Sequence, residues 1–340
     1  MSVAKRLVRP LIALAVAAVA VVGPAVPAQA ADNGAWSVTP TPADDSSPTP
    51  RSYFVLEGAP GATLTDKVRI RNFTKRALTF SIYGADGYNT TEGGFFALRG
   101  LEFPQKDVGA WVTVPVQTVK VAKKTQVDVP ITIRIPDNAT PGDHVGGIVA
   151  LNGAVEGTTE ADGLEVGLKR AVAARLYLRV SGPTMPAVEV TDIELEHDRG
   201  ALGWTGSSSG TVSYTVTNTG NLRLSPQSVI TLSGLPSREL DAVESAGVVD
   251  LLPGQSARLN AEVEGIGPFD RVTTTVTLTT AEGIGDVGET TTWVVPWVLI
   301  AVVLALLALG AWWWLHRRAE RRRAFEALEN APTLTVSAGR

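Results

Sequence analysis

The chain has 340 residues, with 30 Lys and Arg against 34 Asp and Glu, and no cysteine. The lack of cysteine removes disulfides, thiol chemistry, iron–sulfur clusters and cysteine zinc sites, so stability must come from packing and hydrogen bonds. Three positives lie within residues 1–30, and six follow Leu315 together with three glutamates, which leaves the region between at a net charge of −10; such an acidic surface argues against nucleic acid or an anionic lipid surface as its partner.

In chain order, Lys5, Arg6 and Arg9 precede an apolar stretch from Leu11 to Val22 that is too short to span a bilayer, and Ala28-Gln29-Ala30 supplies small residues at a cleavage position. This is the pattern of a secretory signal peptide over residues 1–30. From there to Thr292 apolar residues recur at every second position. Val68 and Ile70 do so, as do Leu78, Phe80 and Ile82, then Val127, Val129, Ile131, Ile133 and Ile135, then Val172, Ala174, Leu176, Leu178 and Val180. Val212, Tyr214 and Val216 alternate in the second half, as do Val272, Val276 and Leu278 with threonines between them. A period of two buries one face of a strand and wets the other. Pro60-Gly61, Asp86-Gly87, Gly93-Gly94, Pro141-Gly142, Thr219-Gly220 and Pro253-Gly254 punctuate the runs as turns. Pro130, inside a run, predicts an edge or a bulge.

The pattern predicts an all-β ectodomain of two tandem immunoglobulin-like antiparallel β-sandwiches, residues 31–182 and 183–282, divided at Ser181-Gly182-Pro183. Each half has a strand ending in asparagine (Asn72, Asn218) before a short polar turn. Residues 283–292 read as a stalk. Residues 293–315 carry no charge and reach roughly 34 Å as a helix, enough for a bilayer core of ~30 Å. Trp293 and Trp297 mark one membrane interface and Trp312, Trp313 and Trp314 the other, with Arg317 and Arg318 just beyond. Arginine-rich flanks stay in the cytoplasm. The expectation is a type I single-pass protein of the cell membrane, with an extracellular ectodomain and a cytoplasmic basic tail at 316–340.

Motifs that suggest chemistry have plainer readings. Gly206-Ser207-Ser208-Ser209-Gly210 matches G-x-S-x-G, but a strand pattern follows where the nucleophile elbow needs a helix. Gly283-Ile284-Gly285-Asp286-Val287-Gly288 matches G-x-G-x-x-G without a βαβ unit. His144 sits in a turn with no nucleophile and acid assigned to it, and His197 lies in a charged strand end. No catalytic residue, metal or cofactor is expected, and the chain reads as a non-enzyme. Sequons at Asn72, Asn89 and Asn138 are short matches that arise by chance. Tyr88, Phe95 and Phe96 cluster with Tyr83 around a glycine-rich hairpin; core packing is the first reading, and stacking on sugar rings makes Tyr88, Phe95 and Phe96 the candidate ligand contacts.

One set of segments has a wider likeness. Trp36-Ser37-Val38-Thr39-Pro40, Tyr53-Phe54-Val55-Leu56 before Pro60-Gly61, the hairpin from Gly87 to Gly94, Ile135-Pro136, and Pro141-Gly142-Asp143-His144 with Gly146-Gly147-Ile148 follow in that order. They resemble the peptidoglycan-binding domain of WxL-interacting proteins, secreted Gram-positive cell-surface proteins. The resemblance covers about residues 36–180. It implies a membrane-anchored surface protein that docks on peptidoglycan or a wall-associated partner protein. The alternative is a receptor or accessory component of a membrane signalling or transport complex. The W-x-L sequences of this chain, at Trp297 and Trp313, fall inside the apolar span.

Overall fold

The computed structural model describes residues 33–42, 51–161, 164–197, 208–235, 238–240, 242–245, 247–267 and 270–329; the expected signal peptide, residues 1–30, lies outside them. The first half contains β1 (Trp36–Pro40), β2 (Phe54–Gly58), β3 (Thr63–Asn72), β4 (Leu78–Asn89), β5 (Phe96–Leu98), the one-turn helix α1 (Val108–Trp111), β6 (Val112–Thr113), β7 (Thr118–Val121), β8 (Gln126–Arg134), β9 (Gly142–Ala161) and β10 (Leu164–Val180). One sheet runs β1-β3-β8-β6, and the other runs β2-β10-β9-β4-β5 with β7 also on β4. The alternating residues from both sheets meet in one core, where Trp36, Phe54, Ile70, Phe80, Ile131, Ile133 and Leu176 are fully or almost fully buried. Trp36 and Phe80 pack with ring centroids 5.3 Å apart. Each such side chain contributes roughly 1.5–3 kcal/mol by leaving water.

The second half contains β11 (Val188–His197), β12 (Ser208–Asn218), β13 (Gln227–Gly234), β14 (Arg238–Glu239), β15 (Val243–Ser245), β16 (Ser256–Ile266), β17 (Asp270–Thr279), β18 (Gly285–Val294) and the helix α2 (Trp297–Glu329). A sheet β11-β12-β16 faces a sheet β14-β13-β17-β18, with β15 also on β13, over a separate core around Tyr214, Val216, Ile230, Val272 and Val276. The buried Tyr214 hydroxyl bonds the Ser228 hydroxyl at 2.5 Å, which removes the cost of burying it unpaired.

Pairing departs from the sequence expectation at three places, and Pro130 keeps to it. β2 joins β10 in parallel, where antiparallel pairing was expected throughout. Asp86-Gly87 is no turn but the interior of β4. Pro130 pairs with Lys67 on β3, and its other side is open because β6 covers only Thr132 and Ile133; the missing N–H leaves no ladder incomplete. The expected stalk is largely β18, paired with β17 from Gly285 to Val294. Its β-branched threonines favour a strand, and Gly288 lets it approach β11, since a Cβ there would meet Ile193 and Val190. Only Val295 and Pro296 separate β18 from α2. The G-x-G-x-x-G match is thus a turn and an edge strand, and Ser208–Gly210 of the G-x-S-x-G match open β12.

The two terminal asparagines do matching work. Asn72 Nδ2 donates to the carbonyls of Arg76, Val121 and Ala122, and its Oδ1 accepts from the Thr74 N–H at 2.8 Å. Asn218 Nδ2 donates to the carbonyls of Leu222 and Leu251, and its Oδ1 accepts from the Gly220 N–H at 3.0 Å. Both are 1% exposed or less, so Asn72 is not a free sequon. Each replaces strand pairing at a corner of its sandwich. Leaving such buried carbonyls without a donor costs about 1–3 kcal/mol each. Asn72→Ala and Asn218→Ala should therefore each lower stability by roughly 2–3 kcal/mol in urea unfolding of the detergent-solubilised chain followed by circular dichroism.

Candidate functional site

The segment with the most specific sequence pattern, residues 141–148, lies at the joint between the two sandwiches. Gly142 has φ +123°, and a Cβ there would sit 2.1 Å from the Asn221 carbonyl oxygen, so only glycine permits the approach. The Asp143 N–H donates to that oxygen at 2.8 Å. Asn221 Nδ2 donates to the carbonyls of Pro141 and Pro183, while its Oδ1 accepts from the Met185 N–H. The Asp143 carboxylate takes both arms of Arg179 at 2.8 and 3.0 Å and the Arg223 N–H at 3.1 Å.

Beside it, Asp250 gathers Arg175 at 3.2 Å, Arg223 at 2.9 Å and the Tyr177 hydroxyl at 3.1 Å. Arg223 lies 4.1 Å from the Tyr177 ring centre and Arg175 lies 4.3 Å from that of Phe96. Asp250 holds φ at +58°, a conformation that aspartate tolerates better than most side chains. The hairpin between β4 and β5 completes the joint. Asn89 Nδ2 donates to the carbonyls of Gly94 and Asp250, and its Oδ1 accepts from the Leu252 N–H. The Gly93 N–H reaches the Arg258 carbonyl, and the Arg258 N–H reaches that of Thr91. The glycine-rich hairpin therefore docks on the edge of β16.

The rest of the segment fixes a strap across the first sandwich. Buried Asp86 accepts the N–H groups of Lys106 at 2.5 Å, Asp107 at 3.1 Å and Gly109 at 2.7 Å, and so caps α1 from a neighbouring strand. Gly146 leaves space for Val108, and Gly147 leaves space for Leu98. His144 Nδ1 lies 2.6 Å from an Asp107 carboxylate oxygen and Nε2 lies 2.9 Å from the Thr140 carbonyl. Both ring nitrogens face acceptors, which suits the doubly protonated ring. Burial opposes the charge, but the Asp107 hydrogen bond and charge, the Thr140 carbonyl and Asp143 outweigh it, and the pKa is raised above 6.5.

Under the strap lies an open groove of about 840 Å³ on the outer face of the β4-β9-β10 sheet. Its floor follows the register Tyr83, Val149, Ala173 and, one row on, Leu151, Ala171. Phe96 and Leu98 form one wall, and Arg99, Lys169, Arg175 and Glu102 stand around it. Burial and then the Glu102 charge raise the Tyr83 hydroxyl above its ordinary range, so it stays neutral. Of the three candidate aromatics, Phe96 lines the groove. Tyr88 sits 5.6 Å from the Arg99 guanidinium, and Phe95 is 73% exposed on the docking hairpin. Nothing in the local sequence marks the groove, because Lys169 and Arg175 come from a strand some 70 residues beyond Arg99.

The residues expected at the membrane interfaces lie on the last strand and along the apolar helix. Among the described residues, one helix is long and apolar enough to cross a membrane, residues 297–323; its most apolar 18-residue window has a mean hydropathy of 2.4 and no protein packed on it. Trp297 opens α2, while Trp293 is on β18, 65% exposed. At the other end Trp312 stacks on His316, Arg317 lies 4.1 Å from the Trp313 ring centre and Arg318 5.1 Å from that of Trp314. Elsewhere, Glu196, His197, Glu262 and Glu264 line a polar hollow on the β11-β12-β16 sheet. Among the described residues no group of three or more metal-ligating side chains is arranged to hold an ion.

Residues 36–151 match the family model of the WxL Interacting Protein peptidoglycan binding domain. The match falls on the segments that carry the resemblance seen in the sequence. No curated protein matches the chain. Among solved structures, one from a chaperone–tip adhesin complex of CFA/I fimbriae is 12% identical, covers 75% of this chain and 98% of its own, and superposes with a TM-score of 0.36. The class 5 fimbrial chaperone CfaA is 14% identical, with 76% and 100% covered and a TM-score of 0.34. The CupB2 chaperone of Pseudomonas aeruginosa is 10% identical, with 70% and 95% covered and a TM-score of 0.30. These overlaps are too loose to carry function.

Two outcomes test the site geometry. A histidine whose folded pKa is raised contributes stability that is complete below its unfolded pKa and is lost as pH rises through the folded value. His144→Gln should therefore lower the melting temperature more at about pH 5.5 than at about pH 8.5, as differential scanning calorimetry can show. Asp250→Ala removes the shared acceptor of the joint. Amide exchange at Gly93, Leu252 and Arg258 should then rise roughly tenfold, while the two cores keep their protection in hydrogen–deuterium exchange.

Proposed function

We propose that the chain is a non-enzymatic, membrane-anchored cell-surface protein whose first sandwich docks on peptidoglycan or on a wall-associated partner protein. The family match over residues 36–151 is the observation that carries this reading. The topology supports it. From Trp297 to Arg317 the helix rises roughly 30 Å, which is the thickness of a bilayer's hydrocarbon core. Tryptophans at both ends and arginines at one end orient it with α2's basic turn in the cytoplasm. Arg317 over Trp313 and Arg318 over Trp314 hold cations at the depth where indoles settle. The ectodomain then faces the wall, and the second sandwich stands two residues above the membrane as a spacer. His144 fits a structural role better than catalysis, since both its nitrogens are engaged by the fold.

The full-length protein in detergent should be retained on purified peptidoglycan sacculi and released by soluble wall fragments. Retention no greater than that of an unrelated single-pass protein in the same detergent would overturn the reading.

A further inference from the structure

The groove on the outer face of the β4-β9-β10 sheet has the chemistry of a specific ligand site. We propose that it takes an extended glycopeptide chain of the wall, with a sugar ring over Tyr83 and stem-peptide carboxylates at Arg99 and Lys169. The proposal rests on the wall-binding reading and adds the place and the chemistry.

Three observations carry it. The first is charge. The ectodomain bears a net charge of −10, yet among the described residues the groove has Arg99, Lys169 and Arg175 against a single acid, Glu102. A local excess of cations on an acidic body focuses the field on an anionic ligand. Among the described residues neither Arg99 nor Lys169 has a carboxylate partner, and both are exposed; Arg99 is held only over the Tyr88 ring. Arg175 differs, being held over Phe96 and against Asp250, which fixes the end of the groove nearest the joint.

The second is shape. Lys169 and Arg175 lie six residues apart on one strand, roughly 20 Å at ~3.3 Å per residue. With about 840 Å³ of space, near the upper end of ordinary ligand sites, the groove suits an extended oligomer better than a single sugar. Its floor of Ala171, Ala173 and Gly167 beside Val149 and Leu151 is low and apolar, while Tyr83 offers a flat face to a ring.

The third is rigidity. The strap that forms the wall is tied at Asp86 by three backbone N–H groups and at Gln105, whose Nε2 reaches the carbonyls of Gly100 and Phe103. Its residues need little ordering on binding, which is what allows affinity from few contacts.

The test uses the full-length protein in detergent and purified sacculi. Wild type and Lys75→Glu, a reversal outside the groove, should bind equally. The Arg99→Glu, Lys169→Glu double variant should bind at least about tenfold more weakly, and the Arg99→Lys, Lys169→Arg pair should bind as wild type does. Unchanged circular dichroism melts show that each variant is folded. Soluble fragments bearing stem peptides should compete, and glycan stripped of peptide by an amidase should compete at least about tenfold less well. Equal retention of wild type and the charge-reversed double variant overturns the groove as the site while leaving wall binding intact. Equal competition by stripped glycan overturns the carboxylate contact. Failure of wild type itself to bind sacculi overturns both the wall-binding reading and this proposal.

Discussion

A backbone carbonyl taken out of water must find a donor, and strand pairing runs out at the corners of a sandwich and at the seam between two of them. In this protein asparagine side chains complete the pattern. Asn72 and Asn218 close one corner of each sandwich, while Asn89 and Asn221 close the seam between them. A primary amide carries two donors and an acceptor on a short stem. It can therefore bridge two pieces of main chain where a hydroxyl or a carboxylate would leave one unpaired. The placement of the two halves, and of everything built on their seam, depends on these amides.

The seam has further consequences for the surface. Asp250 draws Arg175, Arg223 and Tyr177 together, and Arg175 in turn covers Phe96 at the end of the groove. One carboxylate of the second sandwich thus orients a cation of the first. The surface ion pairs alone would contribute little. Their part is directional: they hold planar groups in a fixed stack beside a hollow that the strap from Arg99 onward has already shaped. The glycine pair Gly146-Gly147 serves the same end, since it admits Val108 on one side of the sheet and Leu98 on the other.

At the opposite end, the run from β18 into α2 leaves two residues between a folded sheet and an apolar helix. The second sandwich is therefore tied closely to the start of the helix, where a flexible stalk would have let it swing. Trp293 on the last strand and Trp297 at the first helical turn stand on either side of this link, both exposed.

Much of the architecture was legible in the residues themselves. A period of two fixes which side chains enter the core regardless of what lies opposite, so Val68, Phe80, Ile131, Leu176 and Val276 could be named in advance. A charge-free apolar run with an arginine cluster marks a candidate span by length and composition alone. The likeness of residues 36–151 to a known wall-binding domain was also present in short segments in order. What the sequence could not reveal were relations between distant segments. Asp86-Gly87 looks like a turn until three amides from the strap make Asp86 a buried cap. Residues 283–292 look like a stalk until β17 offers ten partners. Phe96, Lys169 and Arg175 have no common mark along the chain and come together only because β5, paired with β4, brings Phe96 against Arg175 of β10. Periodicity is a property of one strand, readable residue by residue, whereas a joint or a groove is a property of which strands lie together, and only the tertiary structure decides that.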